Sequence, residues 1–144
     1  MANYAVMPSI RFEDVEGALA FYTDVLGFTH RRGTVEEGNV ALEFGDASVM
    51  IEGAGTFYSE TYNEAIRARM GGASPNALYM EAADLDALYA RVQGAAAKVI
   101  DPLAAREWGQ SEFTVEDPGG NWLTFWNAGK GSCHSPVRTS ARLC

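Results

Sequence analysis

Pro8-Ser9-Ile10-Arg11-Phe12-Glu13-Asp14-Val15-Glu16-Gly17-Ala18-Leu19-Ala20-Phe21-Tyr22-Thr23-Asp24-Val25-Leu26-Gly27-Phe28 holds a strand, a cap and a helix, and the chain later repeats it. Pro8, Ile10 and Phe12 alternate with Ser9 and Arg11, the period of a half-buried strand. Asp14 suits an N-cap, because its carboxylate can accept an orphan N–H of the first turn. Val15, Ala18, Leu19, Tyr22, Val25 and Leu26 then fall on one apolar helical stripe, and Gly27 ends it. Seventy residues later the pattern returns. Leu78, Met80 and Ala82 alternate, Asp84 caps, Leu85, Leu88, Tyr89 and Val92 form the stripe, and Gly94 stops it. The chain reads as two copies of one strand–helix unit.

Working outward, the first copy has strand 5–12 and helix 14–26, then strands near 29–33, 39–44 and 48–52, with Gly45-Asp46 as a tight turn. A connector over 53–75 opens with Gly53-Ala54-Gly55 and has room for a short helix from about Ser59 to Met70. It ends in the breaker cluster Gly71-Gly72-Ala73-Ser74-Pro75. The second copy has strand 77–83, helix 85–93, and strands near 97–100, 111–116 and 121–126. Asp117-Pro118-Gly119-Gly120-Asn121 supplies its last turn, with Pro fixing φ and Gly taking φ > 0. Each half is β-α-β-β-β, so one helix covers one sheet face and leaves the other open. The prediction is an α+β fold in which two βαβββ modules form an open, curled mixed sheet with a cleft. Residues 1–129 make one domain (module one about 5–52, module two about 76–128), and 130–144 form an irregular basic tail.

Composition narrows the classes. With 47% hydrophobic and 21% charged residues the chain suits a soluble globular protein. No apolar run reaches the roughly 20 residues of a membrane span, and no signal-peptide pattern opens it, which points to the cytoplasm. All 19 acidic residues lie in 1–129 with 8 of the 11 basic ones. That acidic body argues against nucleic acid or an anionic membrane as partner and suits a cationic small molecule. Both cysteines, Cys133 and Cys144, fall in the tail, where with His134 they make only a weak metal-ligand pattern.

Three segments carry a family resemblance: Asp14 through Phe28, Asp84-Leu85-Asp86-Ala87-Leu88-Tyr89, and Phe113-Thr114-Val115-Glu116-Asp117-Pro118-Gly119-Gly120-Asn121-Trp122-Leu123-Thr124-Phe125. Over about 5–128 the chain resembles the glyoxalase / bleomycin resistance / dioxygenase superfamily, also called vicinal oxygen chelate. The resemblance implies paired βαβββ modules, commonly in a homodimer. It also implies a divalent metal held by His and Glu at four strand positions, which here are Met7, Met50, Ala77 and Thr124. Thioethers, a methyl and one hydroxyl do not make such a site, so no metal and no cofactor are expected. The chain is most similar to the metal-free bleomycin resistance branch, through Met7-Pro8-Ser9-Ile10 and Tyr79-Met80-Glu81. That branch binds glycopeptide antibiotics without modifying them.

Strand alternation assigns the faces without the family. Ile10, Phe12, Val49, Ile51, Met80, Ala82, Leu123 and Phe125 go under the helices. The open face then carries Ser9, Arg11, Ser48, Met50, Glu52, Tyr79, Glu81, Trp122, Thr124 and Trp126, with Trp108 at the rim. Indole and phenol rings supply stacking area of about 150–250 Å² each, and cations over such faces gain about 0.5–2 kcal/mol. Glu52 and Glu81 supply anionic partners. The functional expectation is a non-catalytic protein that sequesters a cationic, aromatic, bleomycin-like compound. Two alternatives stand beside it: a metal-free lyase or isomerase using Glu52 or Glu81 as base, and a ligand-sensing or structural dimer. Trp122 and Trp126 serve equally well in a dimer interface, Tyr79 and Met50 in packing, and Glu81 in an ion pair with Arg11.

Overall fold

A computed structural model describes residues 6–53, 59–72 and 77–128. The tail with Cys133, His134 and Cys144 lies outside the described residues, as do residues 1–5, 54–58 and 73–76. Module one runs β1 (Ser9–Arg11), α1 (Val15–Ala20), β2 (Thr29–Thr34), β3 (Asn39–Phe44) and β4 (Ala47–Glu52). Helix α2 (Glu60–Arg69) follows in the connector. Module two runs β5 (Ala77–Glu81), α3 (Leu85–Gly94), β6 (Lys98–Ala105), β7 (Ser111–Glu116) and β8 (Trp122–Asn127). The result is an α+β fold with two four-stranded mixed sheets, ordered β1-β4-β3-β2 and β5-β8-β7-β6. In each, the first pair is parallel and the other two are antiparallel. The chain divides into two compact units that separate in the connector.

The local signals explain the elements. Asp14 Oδ1 accepts from the Gly17 N–H at 2.9 Å and Asp84 Oδ1 from the Ala87 N–H at 3.1 Å, so both repeats start on the same cap. Ser59 caps α2 through the Tyr62 N–H at 3.1 Å. The helix expected over 14–26 is not uniform: after Ala20 it widens into a π-helical turn, Phe21–Val25, closed by the Leu26 N–H on the Phe21 carbonyl at 3.1 Å. The Thr23 hydroxyl takes the Leu19 carbonyl at 2.9 Å, the acceptor its own N–H would have in an α-helix. Strand β6 runs to Ala105, well past the expected 100, with register shifts on either side of Asp101. Pro102 argues against a strand in sequence, but β6 is an edge strand, where a missing N–H costs no ladder bond.

Beneath the helices the two modules fill equivalent space differently. Ile10, Ile51 and Val40 are register partners in module one, as Met80, Phe125 and Phe113 are in module two. Module one places its aromatic bulk on the helix side, with Phe12 and Tyr22 edge-on at 6.3 Å. Seventy residues on stand Ala82 and Val92, and the bulk moves to the sheet, where Phe113 and Phe125 lie 5.6 Å apart. Large and small residues trade places so that each core fills, as close packing demands. Phe12, Val49, Ile51, Met80, Ala82, Leu123 and Phe125 are buried and Ile10 is half-buried, so the helix-covered face is the one that alternation assigns.

Candidate functional site

On the opposite face, module one satisfies its own charges. Across β1, β4 and β3 the register aligns Arg11, Glu52 and Asn39. The Glu52 carboxylate accepts from the Ser9 hydroxyl, the Arg11 guanidinium and the Asn39 amide, and it is only 2% exposed. Arg11 also donates to Tyr62 Oη of α2 at 3.2 Å, and its guanidinium carbon lies 5.6 Å from the centre of that ring. The Met50 sulfur accepts from the Asn39 amide at 2.9 Å. Four of the residues that the sequence assigns to ligand contact (Ser9, Arg11, Met50 and Glu52) are thus brought together, but as a closed polar network. Arg11 pairs with Glu52 within its own module.

Module two presents rings instead. The positions equivalent to Arg11, Glu52 and Asn39 hold Glu81, Trp126 and Glu112, again aligned across three strands. Tyr79 and Trp126 lie with ring centres 6.1 Å apart and planes within 18°, and Tyr79 is 55% exposed. The Tyr79 hydroxyl donates to Glu112 at 2.8 Å and accepts from the Gln110 amide, which fixes the plane of the ring. Arg106 bridges Asp101 at 2.7 Å and Glu112 at 3.6 Å. One row along, the Trp122 indole N–H donates to Glu116 at 3.0 Å, and Lys98 pairs with the same carboxylate at 3.3 Å. Thr124 is nearly buried, its hydroxyl shared with Thr114 at 2.7 Å. Trp108 projects from the β6–β7 hairpin, 62% exposed, where Gly109 supplies the φ of +92°. Glu81 is exposed and has no hydrogen bond or ion pair among the described residues.

These contacts set the electrostatics. Burial, reinforced by the Glu112 carboxylate, pushes the Tyr79 phenol above its usual range, with Gln110 and Arg106 pulling the other way. The Trp122 indole N–H, and after it Lys98, hold Glu116 below the usual carboxylate range. The sequence reading assigns no role to Gln110, Glu112, Glu116 or Arg106. The period-2 alternation of Glu112, Thr114 and Glu116 was the signal available for β7. Asn39 and Tyr62 carried no comparable signal.

The four strand positions where the resemblance implies metal ligands do not fit a divalent ion. Met50 is engaged by an amide, Thr124 by another threonine, Ala77 has no donor atom, and Met7 offers only a thioether. Among the described residues, no three His, Cys, Asp or Glu side chains cluster as metal ligands, and no helix is long and apolar enough to cross a membrane.

Duplicated βαβββ modules with an exposed aromatic sheet face define the class of protein. Residues 3–125 match the model of the Glyoxalase/Bleomycin resistance protein/Dioxygenase superfamily, and the chain belongs to that family. Similar solved structures include TioX from Micromonospora sp. ML1, with 21% identity and a TM-score of 0.68 over 88% of this chain and 100% of that one. A protein of unknown function from Agrobacterium tumefaciens str. C58 aligns with 24% identity and a TM-score of 0.67, over 88% of this chain and 95% of its own. A glyoxalase/bleomycin resistance protein/dioxygenase from Alicyclobacillus acidocaldarius gives 20% and 0.62, over 87% and 91%. At such identities the likeness is one of fold. No functionally curated protein matches the chain significantly.

Proposed function

We propose that this protein binds a planar, cationic small molecule of the bleomycin type without transforming it, and protects by sequestration, working as a homodimer and without a metal. The observation that carries the reading is the near-parallel Tyr79–Trp126 pair, its tyrosine exposed, beside Glu81, which has no partner among the described residues. Aromatic area with a few placed polar groups is what a small-molecule site needs, and a carboxylate beside it adds a charge-assisted contact. Retention alone suffices for this role, so no nucleophile or tuned base is required. A Glu52-based enzyme finds little support, because three donors already occupy that carboxylate.

The test is a titration with metal-free bleomycin followed by tryptophan fluorescence, with the ligand recovered and weighed by mass spectrometry. Saturable quenching with unchanged ligand is the expected result. Chemical conversion of the recovered drug would assign an enzyme instead, and no quenching at millimolar bleomycin would remove the glycopeptide reading. Light scattering checks the dimer.

A further inference from the structure

The glutamates on the open face of the second sheet have distinct surroundings. Glu116 already holds Lys98 and the Trp122 indole N–H, and Glu112 holds Tyr79, Gln110 and Arg106. Each carboxylate therefore has a cationic neighbour, Glu112 sharing Arg106 with Asp101, and in addition fixes an aromatic ring. Glu81 has neither. The equivalent row of the first sheet shows how the fold treats a carboxylate it means to close: Glu52 is given Arg11. The strand position that holds this arginine in β1 holds Glu81 in β5, directly in register with Trp126.

We infer that the ligand of this face is a planar monocation whose charge is taken by Glu81, with Glu112 and Glu116 acting as positioning residues for Tyr79 and Trp122 rather than as ionic contacts. This rests on the binding reading above and sharpens it. A second ligand charge would find only carboxylates already engaged with Lys98 or Arg106, so charge selectivity belongs to Glu81. Stacking strength belongs to the rings and to the acceptors that orient them. Glu116 acts on the ligand only through the indole it holds, and a glutamine carbonyl oxygen there can still accept the Trp122 N–H.

The test uses the full chain and two probes of one shape, acridine (neutral at pH 7.5) and N-methylacridinium, a permanent monocation. The wild-type protein binds both and prefers the cation by about fivefold, the upper size of one exposed ion pair. Glu81→Gln brings the ratio to near one while acridine affinity holds. Glu116→Ala weakens both probes by about threefold at constant ratio, and Glu116→Gln restores them, as does Glu112→Gln relative to Glu112→Ala. A ratio near one in the wild type, a preference that survives Glu81→Gln, or a ratio lost in Glu116→Gln would each overturn the assignment while leaving the stacking face intact. Binding of neither probe would overturn the assignment together with the planar-ligand reading beneath it.

Discussion

Arg11→Met is the perturbation that most directly separates structure from ligand recognition in the first module. Glu52 is 2% exposed and the Arg11 side chain 9%, so the pair is out of water. Removing one partner of a buried pair leaves an uncompensated charge and typically costs about 3–5 kcal/mol. Here the Ser9 hydroxyl and the Asn39 amide remain on the carboxylate, which places the loss near the lower end, about 3 kcal/mol. The lost Tyr62 contact adds roughly 0.5 kcal/mol. For a chain of this size that is a fall in Tm of roughly 7–14 °C, read by circular dichroism. Arg11→Met/Glu52→Gln removes both charges and keeps an acceptor for Ser9 and Asn39, so it recovers about half the loss. Binding of N-methylacridinium by Glu52→Gln is unchanged under the same logic. An Arg11→Met cost below about 1 kcal/mol, or a double variant as unstable as the sum of the singles, would refute the closed network. Loss of probe binding in a stably folded Glu52→Gln would return that residue to the ligand.

Gly33 has φ of +87°, and a Cβ built there would stand 2.0 Å from the Asn39 carbonyl oxygen and 3.1 Å from the Val40 Cα, both backbone. Gly33→Ala is therefore destabilised by more than the roughly 1 kcal/mol of a left-handed alanine, in urea unfolding, and a smaller loss would mean that β2 and β3 can part there. Asp84→Ala removes the acceptor of the Ala87 N–H and lowers stability by about 1 kcal/mol, with α3 amide exchange accelerating first. The Glu116 carboxyl, followed by 13C NMR, titrates below the ordinary 4.5 because its ionised form is hydrogen-bonded in the fold. A depressed folded value contributes stability above the unfolded pKa that is lost as pH falls through the folded one, so the midpoint of the Trp122 indole proton shift lies below 4.5. A carboxyl midpoint at or above that value would show that the indole contact is not made in solution.

What could be read in the sequence and what could not divide along the range of the interactions. Caps, stripes and alternation are local, and so Asp14, Asp84, the α3 stripe and strands β3 and β7 stand where the pattern puts them. The same alternation assigned Tyr79 and Trp122 to the accessible face and Phe125 to the core. It could not say that Glu52 is closed, because that depends on which residues lie beside it. Arg11 reaches it through a parallel pairing across forty-one residues of chain, and Asn39 through an antiparallel one. Tyr62 was hidden for another reason: α2 is polar on most sides, and Tyr62 meets the sheet as a phenol on a guanidinium rather than as part of an apolar stripe.

The duplication gives these misses a common cause. Both modules have the same backbone rows, so sequence alternation treats Arg11, Glu52 and Asn39 as equivalent to Glu81, Trp126 and Glu112, all of them facing away from the helices. The chemistry then diverges. A cation facing a carboxylate closes one row on itself, whereas a carboxylate facing an indole leaves the other row with a charge and a ring to offer. Face assignment can be made one strand at a time, but complementarity is a property of three strands at once. For that reason register, once known, separates a first-sheet set whose polar groups bond one another from a second-sheet set whose Tyr79 and Trp122 rings stay exposed.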